Sequence, residues 1–222
     1  DVIISAYNIF KKLGINNLKL KINSIGDFES RKTYAKVLQD YFKDNIATMC
    51  TDCHRRVNSN PMRILDCKID KDNPVLINAP KIKKYLSDAS LKYFEDVLNV
   101  LNEFNIPYEV DENLVRGLDY YTDTVFEYII DSDDELNGLA ICAGGKYADL
   151  VKSFNGMEIP GIGYASGVER IVEVMDKLGL LDNINQDIDV VIMGLDSDSK
   201  LLSLKIANLL RMNNISTDID YK

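Results

Sequence analysis

The sequence predicts a protein of the α+β class, in which helices pack on an antiparallel sheet. Two apolar runs, at 124–130 and 138–143, are separated by the acidic turn 131–137, as expected for neighbouring antiparallel strands. A third run, at 160–164, passes through Gly163 and Gly167 into a helical pattern. Strands that follow one another before a packed helix indicate an α+β sheet, because a doubly wound sheet alternates strands with helices.

The N-terminal residues predict a helix, a strand and a second helix. Apolar residues recur at helical spacing over 2–13, and Gly14 is a suitable end. Alternating residues from Leu18 predict a strand. Asp27 can cap the helix that follows. We assign residues 1–27 and 108–182 to one domain, which contains the sheet.

Residues 28–107 are predicted to form a mostly helical domain inserted into the sheet domain. Pro61, Pro74 and Pro80 interrupt the segment 45–86 and leave room only for short helices. A longer helix is expected to begin at Ser87 or Ser90, and it ends before Pro107.

Residues 187–222 predict the start of a further domain of β-α-β type. A buried-strand pattern at 188–195 precedes a helix that Ser197 or Ser199 can cap, and a new strand follows. We expect this domain to be incomplete. The chain also lacks an initial Met and opens in a helical pattern, so we expect it to be part of a longer protein.

The composition excludes several classes of protein. No apolar stretch approaches the roughly 18 residues of a membrane span, and the N-terminus has no features of a secretory signal. With four cysteines and no such signal, reduced thiols in the cytoplasm are expected. A net charge of -9 argues against a generic polyanion binder, although a local basic patch for RNA remains compatible with it.

The segment 114–128 carries the clearest chemical pattern. Arg116 and Asp119 flank Gly117, and Tyr120 and Tyr121 lead into a strand. An arginine fixed at a strand edge can grip a carboxylate or a phosphate with two parallel hydrogen bonds, and tyrosine hydroxyls can donate or accept inside an apolar pocket. Taken alone, the same residues also fit a surface ion pair beside core tyrosines.

Two further segments contain glycines beside polar residues. At 140–151 a buried strand is expected to end at Gly144 and Gly145, with Tyr147 nearby; a simple turn or bulge explains this pattern equally well. At 160–172 the glycines surround a strand-to-helix junction, and Arg170 follows. This spacing differs from a dinucleotide-binding GxGxxG, but a guanidinium at such a position can stack on a base.

These three segments, in this order, resemble the signature regions of the histidyl-tRNA synthetases, which are class II aminoacyl-tRNA synthetases. In the segment 114–128, LVRGLDYY and TVFE resemble the first histidine-specific motif of the family. In the segment 140–151, CAGGKY resembles the second histidine-specific motif. In the segment 160–172, GIGYASGVER resembles class II motif 3. Residues 55–68 resemble the insertion domain of the bacterial form. The resemblance extends over the whole chain and implies part of a class II antiparallel sheet, a helical insertion and the start of an α/β anticodon-binding domain.

For the amino acid, the resemblance implies a pocket built around Arg116. Arg116 is expected to be the catalytic group that contacts the α-phosphate of ATP and the carboxylate of histidine. Tyr120 and Tyr121 are expected to line the imidazole pocket, which Tyr147 closes beside Gly144.

For the nucleotide, the resemblance implies that Arg170 stacks on adenine and meets the phosphates of ATP, with Gly163 and Gly167 in the ATP-binding segment and Arg116 at the α-phosphate. The implied reaction is the ATP- and Mg²⁺-dependent formation of histidyl-adenylate, followed by transfer to tRNA(His). A cytoplasmic homodimer that does not bind membranes is also implied.

Two departures from the family pattern limit what is carried over. The second motif has Lys146 where the family has arginine, and Ala148 where it has aspartate; lysine cannot form the same two-pronged contact. Counterparts of motifs 1 and 2 do not precede Asp1, so we expect the chain to be inactive alone. The alternative function is a synthetase-like regulatory subunit of ATP phosphoribosyltransferase, and a purely RNA-binding protein is a third candidate.

The cysteines of the inserted domain raise the question of a metal site. Cys50 and Cys53 form a CxxC pair followed by His54, and Cys67 lies downstream. Because only one such pair is present and no finger spacing repeats, the pattern favours reduced thiols, and no structural metal is expected. The acidic run 131–137 is expected to be a solvated hairpin turn and not a cation site.

Overall fold

The computed structural model describes residues 1–117, 120–148, 150–157, 159–182 and 187–220. These residues form two compact units, Asp1–Leu180 and Leu181–Lys222. No helix in the described ranges is both long enough and apolar enough to cross a membrane.

The first unit contains a five-stranded sheet, which confirms the α+β prediction. Its order is β2-β1-β3-β4-β5, and only β1 and β2 run parallel. The strands are β1 (Leu18–Ser24), β2 (Tyr108–Val110), β3 (Tyr121–Ile130), β4 (Ala140–Tyr147) and β5 (Gly161–Ser166). The sequence did not predict β2, because three residues are too few to show an alternating pattern.

Three helices cover one face of this sheet: α1 (Val2–Lys12), α5 (Asp88–Glu103) and α7 (Val168–Lys177). Alternate residues of the central strands point into the core that these helices share, because side chains of a strand alternate between its two faces. The hydroxyl of Tyr128 donates to the carbonyl of Ile3 at 3.0 Å inside this core. The core includes Phe10, Leu20, Ile22, Leu101, Phe126, Tyr128, Ile130 and Val174.

The opposite face carries the inserted segment, which has a core of its own. Its helices are α2 (Phe28–Asn45), α3 (Thr51–Ser59) and α4 (Pro74–Ile77), joined by 3₁₀ turns at Ile46–Thr48, Pro61–Ile64 and Ile82–Tyr85. This core includes Tyr34, Leu38, Phe42, Ile64 and Ile82, and it reaches the sheet through Val125 and Tyr121. The predicted short helices are therefore present. Pro61 and Pro74 begin two of them, where a missing N–H costs nothing.

A short helix α6 (Leu150–Ser153) follows β4, and the second unit contains β6 (Val190–Met193), α8 (Ser199–Met212) and β7 (Thr217–Asp220). The two strands pair in parallel, which confirms the β-α-β prediction. The predicted cap of α8 is wrong, because the N-cap is Asp198, whose side chain forms no capping hydrogen bond. The backbone N–H of Ser199 donates to Asp196 Oδ1 at 2.8 Å.

The beginnings of α2 and α5 share a network of hydrogen bonds, in which Asp27 and Ser87 cap their helices as the sequence predicts. The Asp27 carboxylate accepts from the backbone N–H of Ser30 at 2.8 Å and from the hydroxyl of Ser87 at 2.6 Å. Ser87 Oγ in turn accepts from the backbone N–H of Ser90 at 3.2 Å. These bonds, led by that of Ser87, lower the pKa of Asp27. The network joins α2 to α5, a helix that the sequence placed in the inserted domain but whose apolar residues pack on the sheet.

Asp27→Asn tests this network, since asparagine keeps one acceptor oxygen but loses the charge. We expect the free energy of unfolding at pH 7 to fall by about 1 kcal/mol, the difference between hydrogen bonds to a charged and to a neutral acceptor. A carboxylate whose pKa is lower in the folded than in the unfolded state stabilises the folded protein at pH values above the unfolded-state pKa. This stabilisation is lost as the pH falls through the folded-state pKa. The difference in unfolding free energy between Asp27→Asn and wild type should therefore shrink below about pH 4.

Urea unfolding at several pH values measures this difference. Asp40→Asn is the matched control, because Asp40 is exposed on the same helix. An equal loss in both variants at pH 7, or a loss in Asp27→Asn that does not change with pH, would contradict the assigned role of the Asp27 charge.

Candidate functional site

Arg116 lies in the irregular segment that leads to β3, and not on a strand edge as expected. The segment is fixed by its burial: Leu114 and Val115 belong to the core beneath the inserted helices. The side-chain amide of Asn23 on β1 also donates to the carbonyl of Leu114 at 3.0 Å. The backbone is thus held next to the sheet without strand pairing. Leu118 and Asp119, which complete the predicted motif, lie outside the described residues.

The guanidinium of Arg116 points at the sheet and forms an ion pair with Glu127 on β3. The two side chains are only 20% and 24% exposed. The guanidinium carbon also lies 5.7 Å from the ring centroid of Tyr121. The surface ion pair that the residues alone allowed is thus, in the structure, a half-buried pair against an aromatic ring.

Glu127 and Asp66 are acidic neighbours of Arg116 that were not predicted from the sequence. Burial raises the pKa of Glu127, and Asp66 adds to this, whereas Arg116 lowers it. Burial likewise raises the pKa of Asp66, and Lys68 and Arg116 oppose the shift. Glu127 could have been found from the alternation of β3, which places it between Val125 and Ile129 on the face away from Phe126 and Tyr128. Asp66 comes from the inserted segment, and no local pattern marks it.

The three predicted tyrosines form one cluster beside Arg116. Tyr121 on β3 is paired across the strands with Tyr147 on β4. Their ring centroids lie 6.1 Å apart, and Tyr120 lies 4.8 Å from Tyr121 and 5.7 Å from Tyr147. Tyr147 meets both other rings edge to face, which aromatic pairs prefer. Burial, with Tyr121 next in effect, raises the pKa of Tyr120, so its hydroxyl remains protonated.

Glycines allow the tyrosines to lie close to the sheet. A Cβ at Gly145 would lie 2.6 Å from the carbonyl of Thr124 and 2.9 Å from the ring of Tyr121. A Cβ at Gly161 would collide with the ring of Tyr147, and one at Gly163 would lie 3.1 Å from its hydroxyl. Close approach, and not a turn, is therefore why glycine occurs here.

Gly144 belongs to the other face of the same strand. A Cβ at this position would collide with the carbonyl of Gly163 and lie 2.8 Å from Phe126 in the core beneath α1. The strand also does not end at the glycine pair, because β4 continues to Tyr147 and pairs with β3 and β5. Gly145 is the glycine that faces the tyrosine cluster.

Lys146 points away from the tyrosines, as the alternation of the strand requires. Its ammonium lies 2.7 Å from Asp123 Oδ2 and 4.4 Å from the ring centroid of Tyr93 on α5. Asp123 also accepts from the hydroxyl of Ser90 at 2.7 Å. Lys146 therefore fastens β4 to α5. Ala148 follows the strand, and Asp149 lies outside the described residues.

Arg170 lies at the other end of β4. Gly167 precedes α7 as its N-cap, and the Arg170 guanidinium donates to the carbonyl of Ala140 at 2.7 Å. Ala140 and Tyr147 are seven residues apart on the strand, a span of about 24 Å. Because Glu127 pairs with Ala143 between these ends, the predicted residues lie along one strand with the Arg116–Glu127 pair in the middle.

An open cleft of about 650 Å³ extends from Glu127 of the ion pair to Arg170. Its lining includes the carboxylates of Asp66, Asp111, Glu127 and Glu135 and the cations Lys21, Lys68 and Arg170. Lys21 is paired with Asp111 at 2.7 Å, whereas cations such as Lys68 and Arg170 can pair with phosphate oxygens. The carboxylates offer oxygen ligands of the kind that Mg²⁺ prefers.

Known proteins similar to this chain were found by sequence and by structure. A family model described as histidyl-tRNA synthetase matches residues 19–171. The histidine–tRNA ligases of Listeria monocytogenes and Staphylococcus carnosus are each 40% identical to this chain, over 221 and 222 residues, which is 100% of the chain and 52% of each relative. The chain thus spans about half the length of the curated relatives it matches.

Solved structures agree with this relationship. The apo histidyl-tRNA synthetase of S. aureus superposes with a TM-score of 0.67 at 35% identity, covering 99% of this chain and 54% of that one. A Bacillus halodurans protein described as an ATP phosphoribosyltransferase regulatory subunit/histidyl-tRNA synthetase has a TM-score of 0.52 at 16% identity, covering 99% and 58% of the two chains, and it shares the fold alone. Since the family model spans every candidate site residue from Arg116 to Arg170, and the relatives match the chain from end to end, this chain belongs to the histidyl-tRNA synthetase family.

Proposed function

We propose that this chain supplies part of the active site of a histidine–tRNA ligase. The proposal rests on the half-buried guanidinium of Arg116, which pairs with Glu127, a residue of the cleft lining, and lies against the ring of Tyr121. The enzyme activates histidine with ATP and Mg²⁺ and transfers it to tRNA(His).

In the first step, a carboxylate oxygen of histidine attacks the α-phosphorus of ATP. A new oxygen–phosphorus bond forms while the bond to the leaving pyrophosphate breaks. Negative charge gathers on the oxygens of the α-phosphate in the transition state, so a cation already fixed beside them lowers the barrier. Arg116 has the two-pronged geometry to contact the α-phosphate and the histidine carboxylate together.

Glu127 prepares Arg116 for this role. In the structure the carboxylate keeps the guanidinium against the sheet, which limits the conformations that must be lost when a ligand binds. The neighbouring Asp66 opposes ionisation of Glu127. A bound phosphate can therefore replace Glu127 as the anionic partner of Arg116.

Tyr120, Tyr121 and Tyr147 form the pocket for the imidazole ring in this proposal. Their rings supply apolar walls, and their hydroxyls can pair with the two ring nitrogens. An amino acid of similar size without such nitrogens would leave buried hydroxyls unpaired, which is a strong basis for rejection. The absent Cβ of Gly145 keeps Tyr121 against the sheet.

Arg170 is proposed to bind the adenine ring and the ATP phosphates, with Gly163 and Gly167 in the ATP-binding segment. Its guanidinium is planar and can stack on a base. Its place in the cleft that contains Glu127 supports this assignment. Gly167 begins α7 without a side-chain cap, so N–H groups of the first turn point towards the same end of the strand.

The complete protein is proposed to act as a cytoplasmic homodimer. Because the chain spans about half the length of the relatives it matches, we propose that it does not catalyse histidine-dependent exchange alone. The regulatory-subunit alternative rests on the shared fold only, at 16% identity. The ligase is better supported, since 40% identity to histidine–tRNA ligases extends over the site.

Replacing Arg116 by alanine in the complete protein tests the main assignment. We expect histidine-dependent ATP–pyrophosphate exchange to fall by a factor of about 10² or more, the scale for losing one preorganised charge donor. Arg55→Ala is the matched control, because that side chain is 80% exposed on α3 and pairs with Asp52. Exchange at the wild-type rate in Arg116→Ala would remove Arg116 from the mechanism.

Gly145→Ala tests the amino acid pocket. The added methyl group must displace Tyr121 or the backbone of Thr124, so we expect the KM for histidine to rise about tenfold, the effect of about 1.4 kcal/mol, with little change in the KM for ATP. Gly179→Ala is the control for a loss of stability. Gly179 follows α7 and has a φ of 66°, a backbone conformation in which alanine is strained. If both variants changed the KM for histidine equally, the effect would reflect stability and not the pocket.

A further inference from the structure

Four potential metal ligands meet in the inserted segment, away from the tyrosine cluster. The sulfurs of Cys50, Cys53 and Cys67 and a carboxylate oxygen of Asp70 all lie within 4.8 Å of one another. Asp70 and two of the cysteines are buried, and Cys50 is partly exposed. The spacing of the cysteines in the sequence shows no fourth ligand, and the structure supplies one in Asp70.

Local structure explains why distant residues converge. Cys50 is the N-cap of α3, and Cys53 lies one turn later on the same side of the helix. Cys67 follows the 3₁₀ turn Pro61–Ile64, whose residues pack in the same core. Asp70 is tied back to the helix, since the backbone N–H of Cys50 donates to its two oxygens at 3.2 and 3.0 Å. His54 is exposed and is not part of the cluster.

The distances fit a tetrahedral ion. Zinc–sulfur bonds of about 2.3 Å place two sulfurs of a tetrahedral site about 3.8 Å apart, and a sulfur and a carboxylate oxygen about 3.5 Å apart. In the structure the sulfurs of Cys50 and Cys67 are 3.7 Å apart, and Cys67 Sγ is 3.4 Å from Asp70 Oδ2. A cluster of several irons would need its cysteines farther apart than one shared ion does.

The charge of Asp70 points the same way. Asp70 is 7% exposed. Among the described residues, no lysine or arginine forms an ion pair with it. Buried carboxylates are normally paired with a cation or bound to a metal. Hydrogen bonding of ligating carboxylates, as by the N–H of Cys50, is also a general feature of metal sites.

We propose that Cys50, Cys53, Cys67 and Asp70 bind one structural Zn²⁺ ion. Each thiol loses its proton to solvent as its sulfur–zinc bond forms, so binding one ion releases three protons. Thiolate sulfur favours zinc over the hard cations Mg²⁺ and Ca²⁺. Four protein ligands close the coordination shell, which is the arrangement of structural and not of catalytic zinc.

The ion would fix the segment that faces Arg116. Leu65, Asp66 and Lys68, which immediately flank Cys67, line the cleft. Asp66 raises the pKa of Glu127, and Arg116 lowers the pKa of Asp66. Only 3₁₀ and short helical turns hold the chain between α3 and α5, so an ion bridging α3 to residues 67–70 would hold this segment in place.

Metal analysis of the protein purified without chelator tests the proposal. We expect about one zinc per chain. The zinc should be lost in Cys67→Ala and in the double variant Asp70→Ala/Cys53→Ser. It should be kept in Cys142→Ser, because Cys142 is buried on β4 outside the cluster. Adding a strong chelator should lower the unfolding temperature of wild type and of Cys142→Ser by several degrees, and leave that of the variants without zinc unchanged.

A second measurement on wild-type protein remains informative if a variant fails to fold. After removal of zinc, one equivalent of Co²⁺ should give the visible bands of a tetrahedral ion and the near-ultraviolet absorption of thiolate-to-cobalt charge transfer. The proposal would be overturned in favour of reduced thiols by three results together. The purified protein would contain no zinc, it would retain none after zinc is added, and it would show neither absorption with Co²⁺. A mass lower by two hydrogens in freshly purified protein, abolished in Cys50→Ser, would overturn it in favour of a disulfide.

Discussion

The guanidinium of Arg116 lies against Glu127 on the face of the sheet that the inserted segment covers, and the candidate site is arranged around this ion pair. A charged pair that is about one-fifth to one-quarter exposed loses much of its hydration, so it remains only where the geometry is favourable. The sheet provides that geometry. Glu127 is fixed by strand pairing on both sides of β3, and Arg116 by the buried residues immediately before it.

Strand alternation separates two roles on β4. Tyr147 and Gly145 face the candidate site, whereas Lys146 and Gly144 face α5 and the core. The departure of Lys146 from the family pattern therefore concerns the packing of β4 on α5 in this chain. A lysine is sufficient there, because one ammonium reaches both Asp123 and the ring of Tyr93.

Much of the fold could be predicted from local patterns. Helical spacing identified α1, α2, α5 and α7, and alternating or buried runs identified β1, β3 and β4, because these elements are long enough to show their period. The three residues of β2 are too short for this. The cap of α8 was misassigned because the four successive residues 196–199 are all of types that can cap a helix, and the N-cap is Asp198.

The candidate site was partly predictable for a similar reason. Arg116, Tyr121 and Tyr147 stood out because polar and aromatic residues occur beside glycines at strand ends. Asp66 and Asp70 did not, because each acquires its partner through the tertiary packing of the inserted segment against the sheet or against α3. The same packing links the proposed zinc site to the cleft. Residues 65–70 carry ligands on one side and cleft residues on the other.

The proposed role of Arg116 can be tested with a structure of the complete protein bound to a non-hydrolysable analogue of histidyl-adenylate. We expect Arg116 to contact the phosphate of the analogue in place of Glu127. We also expect the imidazole ring to lie among Tyr120, Tyr121 and Tyr147, with the adenine on Arg170. An analogue bound elsewhere, with the Arg116–Glu127 pair unchanged, would show that Arg116 does not bind the phosphate.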